Sequence, residues 1–75
     1  MDKIQQVEVR GLQSTPDGGS VWVAEPDAHF FGVYVGGPGA FVWLADFYEK
    51  DDALHFAKMR AMRAGATFHN RIGEI

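Results

Sequence analysis

His29-Phe30-Phe31-Gly32-Val33-Tyr34-Val35-Gly36-Gly37-Pro38-Gly39-Ala40-Phe41-Val42-Trp43-Leu44-Ala45-Asp46-Phe47 reads as two β-strands joined by a tight turn. Gly37-Pro38-Gly39-Ala40 has type II chemistry: Pro38 sets φ at the second position and Gly39 takes the positive φ needed at the third. The flanking runs, His29 to Gly36 and Ala40 to Phe47, are rich in aromatic and β-branched residues. Neighbouring residues of a strand point to opposite faces, so a sheet wetted on one side should alternate apolar and polar residues. That alternation is nearly absent here. Phe31, Val33, Val35, Phe41, Trp43, Ala45 and Phe47 are expected on one face, and Phe30, Tyr34, Val42, Leu44 and Trp22 on the other. Both faces are apolar, so something besides a single layer of covering structure is expected to meet the second.

Upstream, Thr15-Pro16-Asp17-Gly18 reads as a type I turn, and Glu25-Pro26-Asp27-Ala28 as a second of similar chemistry. They delimit strands over Ile4 to Arg10 and Ser20 to Glu25. Short connections between successive strands favour an antiparallel meander. Downstream, Tyr48 to Ala64 is rich in helix formers. Acidic residues crowd its start, bases fill its last two turns, and Gly65 sits at the helix stop position. Ala66 to Ile72 reads as a closing strand whose pairing edge is open. The fold class expected is α+β, in a single domain spanning residues 1–75: a four- to five-stranded, mainly antiparallel sheet with one helix packed on it, in the order ββββαβ.

The helix has two unlike sides. At about 100° per residue, Ala53, Leu54, Ala57, Ala61 and Ala64 gather on one side, where small residues let it lie close to the sheet. Phe56, Met59 and Met62 fall towards the other, beside His55 and Arg63. Either Phe56 wraps under the helix edge and the methionines are scattered surface residues, or the three form a recognition patch, since methionine adapts to irregular partners.

Composition excludes several classes. With 75 residues, the chain hides only about 60% of its unfolded surface, so its stability margin is thin. Cysteine is absent, which removes disulfides, thiolate metal sites and a cysteine nucleophile. A net charge of −3 argues against a duplex-binding protein, which needs many cations against phosphate. Met1 to Gly11 lacks the apolar run of a signal peptide, and the longest apolar run, Ala40 to Ala45, is too short to span a bilayer. A soluble protein of the bacterial cytoplasm, without membrane contact, is expected.

No catalytic, cofactor or metal site is read from the sequence. The glycines at Gly36, Gly37 and Gly39 lead into a strand rather than the helix that a phosphate loop requires. His29, His55 and His69 share no metal-ligand spacing, and Ser14, Thr15, Ser20 and Thr67 belong to no nucleophile motif. The acidic cluster Asp46, Glu49, Asp51 and Asp52 suits a helix N-terminus, Glu49 and Asp52 having capping-box-like spacing; it could equally present negative charge to a basic groove. Trp22, Phe30, Tyr34, Phe41 and Trp43 could stack bases, but the strands hold almost no Lys or Arg, so direct nucleic-acid binding is disfavoured.

One resemblance extends over about 30 residues of the second half. A strand ending in an aromatic, an acidic helix start, Asp52-Ala53-Leu54-His55-Phe56-Ala57 and the closing Gly65-Ala66-Thr67-Phe68-His69-Asn70-Arg71-Ile72-Gly73-Glu74-Ile75 resemble small αβ proteins of phages and bacterial mobile elements. Several anti-CRISPR proteins look similar: short, acidic, cysteine-poor, with a small sheet and a helix. The resemblance implies a non-enzymatic inhibitor that covers a surface of a CRISPR-Cas or other host defence complex. No motif defines that group, so no residue role is carried over from it. On the reading of the residues themselves, the partner-binding candidates are Trp22, Tyr34 and Trp43 on the sheet, Glu49, Asp51 and Asp52 at the helix start, and Phe56, Met59 and Met62 along the helix. The alternatives are a homodimer whose second face closes the dimer core, and a nucleic-acid-binding sheet.

Overall fold

The structure, a computed structural model, describes residues 4–37 and 39–73. Its elements follow the expected order: β1 (Gln6–Ser14), β2 (Ser20–Trp22), a 3-10 turn (Glu25–Asp27), β3 (Phe30–Gly37), β4 (Ala40–Phe47), α1 (Lys50–Ala64) and β5 (Thr67–Asn70). This is a five-stranded, mainly antiparallel sheet with one helix packed on it.

The expected meander is not what forms. The main strand order is β2-β1-β3-β4, so β3 lies on the far side of β1 from β2. The physical cause is the segment between β2 and β3. Instead of a hairpin, Glu25-Pro26-Asp27 makes a 3-10 turn beside β1, and His29 N donates to Leu12 O at 2.8 Å, delivering the chain to the other edge. β1 also runs longer than expected, through Gly11 to Ser14, because both β2 and β3 pair with its C-terminal half. β5 joins β1 in parallel, alongside Gln6 to Val9, next to the stretch of that edge used by β2. Since β1 is antiparallel to β3, and β3 to β4, β4 and β5 run the same way. The unit β4–α1–β5 is therefore a crossover between parallel strands with β3 and β1 between them, the connection for which a helix is the usual solution.

The crossover explains where the core sits. To pass from β4 to β5, α1 packs on β1, β3, β4 and β5. Ala53, Ala57 and Ala61 are buried against Val7, Val9, Phe31 and Val33. Small residues on the helix allow this close approach, as their spacing predicts, but Ala64 is exposed and Leu54 only half-buried. Val7, Val9 and Val33 are fully buried, each worth about 1.5 kcal/mol or more. The helix starts at Lys50, with Glu49 in extended conformation and no side-chain cap, so the capping-box reading of Glu49 and Asp52 is not realised. Asp51 and Asp52 meet the N-terminal end of the helix through charge alone. Gly65, at φ 65°, closes the helix with its N–H on the carbonyls of Ala61 and Met62. At the β3–β4 turn, Gly39 has φ 81°, as a type II turn needs, while Pro38 falls outside the described residues.

A bulge in β4 reverses half of the expected face assignment. Tyr34 is opposite Trp43 and Val33 opposite Ala45, so Leu44 is an extra, unpaired residue. One inserted residue inverts the alternation on everything before it. Phe41 and Trp43 therefore share the face of Tyr34, and Val42 that of Val35, on the helix side. Leu44 packs against the core. Phe31, Val33, Val35, Ala45 and Phe47 keep the helix-side placement that alternation predicts.

Candidate interaction surfaces

The second face of the sheet is organised around two charges that β1 projects into it. Val7 and Val9 point to the helix, so Glu8 and Arg10 point away. Glu8 is only 3% exposed, which for a carboxylate requires close partners. Arg10 Nε donates to Glu8 Oε2, and Arg71 Nε donates to Oε1 at 3.4 Å. The Arg10 guanidinium lies 4.2 Å from the ring centre of Tyr34, 4.9 Å from that of Trp22 and 5.6 Å from that of Phe41. A planar, weakly hydrated guanidinium can pair with a carboxylate and stack on rings at once, which lysine does not. Burial pushes the Tyr34 hydroxyl above its usual pKa, and the neighbouring Arg10 charge partly opposes the shift. Among the described residues, buried Trp22 Nε1 meets no hydrogen-bond acceptor.

These rings are thus partly covered by one another and by Arg10, rather than forming a bare apolar sheet. The expectation that the strands carry almost no base misses how Arg10 and Arg71 converge on Glu8, one from within β1 and one just after β5. The signal for it lies in Val7-Glu8-Val9-Arg10, where strict alternation places two opposite charges on the aromatic side.

β4 forms the second surface. It ends the main strand order and pairs with β3 alone among the described residues. Natural edge strands are usually guarded by Lys, Pro, inward charges or a bulge, and of these β4 has the bulge at Leu44. β4 has no Lys or Pro, and its single charged residue, Asp46, accepts a 2.8 Å hydrogen bond from Trp43 Nε1. The bulge is what lets residues three apart share a face and meet. Trp43 is nevertheless 57% exposed and Val42 65%.

The third surface is a groove of about 500 Å³ lined by Phe47, Asp52, His55, Phe56, Met59, Arg60 and Arg63. Phe56 turns back under the helix edge, its ring 5.1 Å from that of Phe47 and tilted by 46°. A smaller hollow of about 460 Å³ involves Ser14, His29, Phe30, Asp46, Phe47 and Tyr48. His55 lines the first, His29 the second, and His69 is opposite Glu8 in the β1–β5 pair, so the histidines do not converge. Among the described residues, no three His, Asp or Glu side chains gather as metal ligands, and no helix is long and apolar enough to cross a membrane.

The nine candidate residues do not make one site. Trp22 and Tyr34 flank Arg10, with Trp43 beside Tyr34 at the sheet edge. Asp52, Phe56 and Met59 line the groove. Glu49 and Asp51 are exposed at the helix start, and Met62 is exposed outside the groove lining. Comparison with protein-family models, curated proteins and solved structures finds no match.

Proposed function

We propose that this chain is a non-enzymatic protein-binding module that presents the β4 edge, with Trp43, Tyr34 and Trp22 on the adjoining face, to a partner protein. The observation that supports this most is the combination at β4: an edge of eight residues without Lys or Pro, on which Val42 and Trp43 are large, exposed apolar side chains. An edge supplies unpaired backbone groups to which a partner strand can add, and side chains on alternate sides supply the selectivity. Tryptophan at such a position is a typical energetic centre of protein contacts. The inhibitors of bacterial defence complexes that the chain resembles name the first partner to test, a CRISPR surveillance complex in the bacterial cytoplasm. In that role the chain would act by occupying a surface.

A second reading, a platform for single-stranded nucleic acid, is favoured by Arg10 lying among three aromatic rings. Against it, Arg10 and Arg71 both pair with Glu8, which leaves the cluster little charge for phosphate. Affinity capture on the immobilised chain from bacterial lysate separates the two. A protein partner retained after nuclease treatment, and bound more weakly by about 2 kcal/mol in Trp43→Ala, is the expected result. Recovery of nucleic acid alone would overturn it.

A further inference from the structure

The groove beside α1 is lined by a stripe that matches itself when turned end for end. Asp52, Phe56, Met59 and Arg63 recur at i, i+4, i+7 and i+11, which puts all four within about 60° of one another around the helix. The stripe has an acid at its N-terminal end, a base at its C-terminal end, and two large apolar side chains between. Asp52 and Arg63 are equally distant from its middle, as are Phe56 and Met59. A two-fold axis through that midpoint therefore sets Asp52 of one copy opposite Arg63 of the other, twice, and Phe56 opposite Met59, twice. Parallel alignment would instead set Arg63 against Arg63. The helix dipole accounts for the sign of each end, and the contact with Phe47 for Phe56, but neither accounts for the exposed Met59 between them.

We propose that this groove is a self-association site in which α1 of a second copy packs antiparallel against α1 of the first. Met59 is 38% exposed in the single chain, so its burial supplies the apolar part of the contact. The two Asp52–Arg63 pairs fix direction and register. The contact lies on the helix side, where the groove reaches β4 only at Phe47, and it leaves the second sheet face of each copy free; it is argued without the function proposed above.

Sedimentation equilibrium of the whole chain tests it. The mass should rise with concentration towards twice that of one chain. Met59→Lys, Asp52→Arg and Arg63→Asp should each weaken the dimer about tenfold or more, and Asp52→Arg combined with Arg63→Asp should restore it to within about threefold. Each reversal opposes the helix dipole, so the double variant carries the larger penalty in helix stability, and its recovery as a dimer cannot come from refolding. Far-ultraviolet circular dichroism checks that each variant is folded. A chain that stays monomeric at every concentration overturns the proposal. So does a dimer indifferent to Met59→Lys, or a double reversal that associates no better than the single ones.

Discussion

Replacing Glu8 by Gln leaves two arginines aimed at a neutral group in a nearly closed site. Breaking a buried ion pair from one side costs about 3 kcal/mol or more, whereas exchanging a whole buried pair for apolar residues is often close to neutral. Glu8→Gln should therefore lower the urea midpoint strongly, while Glu8→Leu with Arg10→Met should cost far less, because it removes both charges of the closer pair together. Tyr34 gives the pH dependence of the same cluster. Its folded pKa is raised above 10.0 by burial, so the unfolded chain releases this proton first. The neutral-phenol contribution is complete below pH 10.0 and fades as pH climbs through the raised folded value. Urea titrations across that range should show an alkaline loss of stability that Tyr34→Phe removes. The aromatic members of this cluster are legible in the sequence as an excess of rings. Their cover is legible in part: alternation along Val7 to Arg10 places Arg10 among the rings, but the second arginine on Glu8, Arg71, comes from just after β5, 63 residues along the chain.

Strands and helix are legible at the scale of the element because their signals are local. Alternation and turn chemistry place β3 and β4; charge polarity and a glycine stop place α1. Gly65 shows how sharp that stop is, since at φ 65° an alanine is strained. Gly65→Ala should cost about 1 kcal/mol, seen in a thermal melt as a fall of roughly 4–8 °C. The β4 bulge left no comparable trace. Ala40 to Phe47 reads as an unbroken strand, and the extra residue is set by Leu44 turning into the core rather than by any breaker in the run. That single residue moves Trp43 from the helix side, where it would be core, to the second face, where it is exposed. Trp43 is a recognition candidate by residue type, and its surroundings follow from tertiary packing.

Across the whole molecule, a fully buried core of valines and alanines on one side is offset by a partly sealed aromatic face on the other. The route of the chain decides this division. Once β3 crosses to the far edge of β1, β4 becomes an edge of the sheet, and the helix must leave it to reach β5. Local sequence does not specify which side of β1 receives β3, so short connections alone suggest a meander although the chain forms the order β2-β1-β3-β4 within the same α+β class. The apolar excess that alternation reveals is then shared among three places: the core, the rings around Arg10, and the exposed rim of β4 and the groove. Recognition through that rim is the central claim, and amide hydrogen exchange along β4 tests it most directly. In the free chain, the outward amides of Ala40 to Phe47 should exchange quickly. With a captured partner protein bound, they should become protected together with the Trp43 indole, and Trp43→Ala should weaken the binding by about 2 kcal/mol and reduce the protection to match. Unchanged exchange in β4 while the partner is bound, with protection elsewhere, would contradict it.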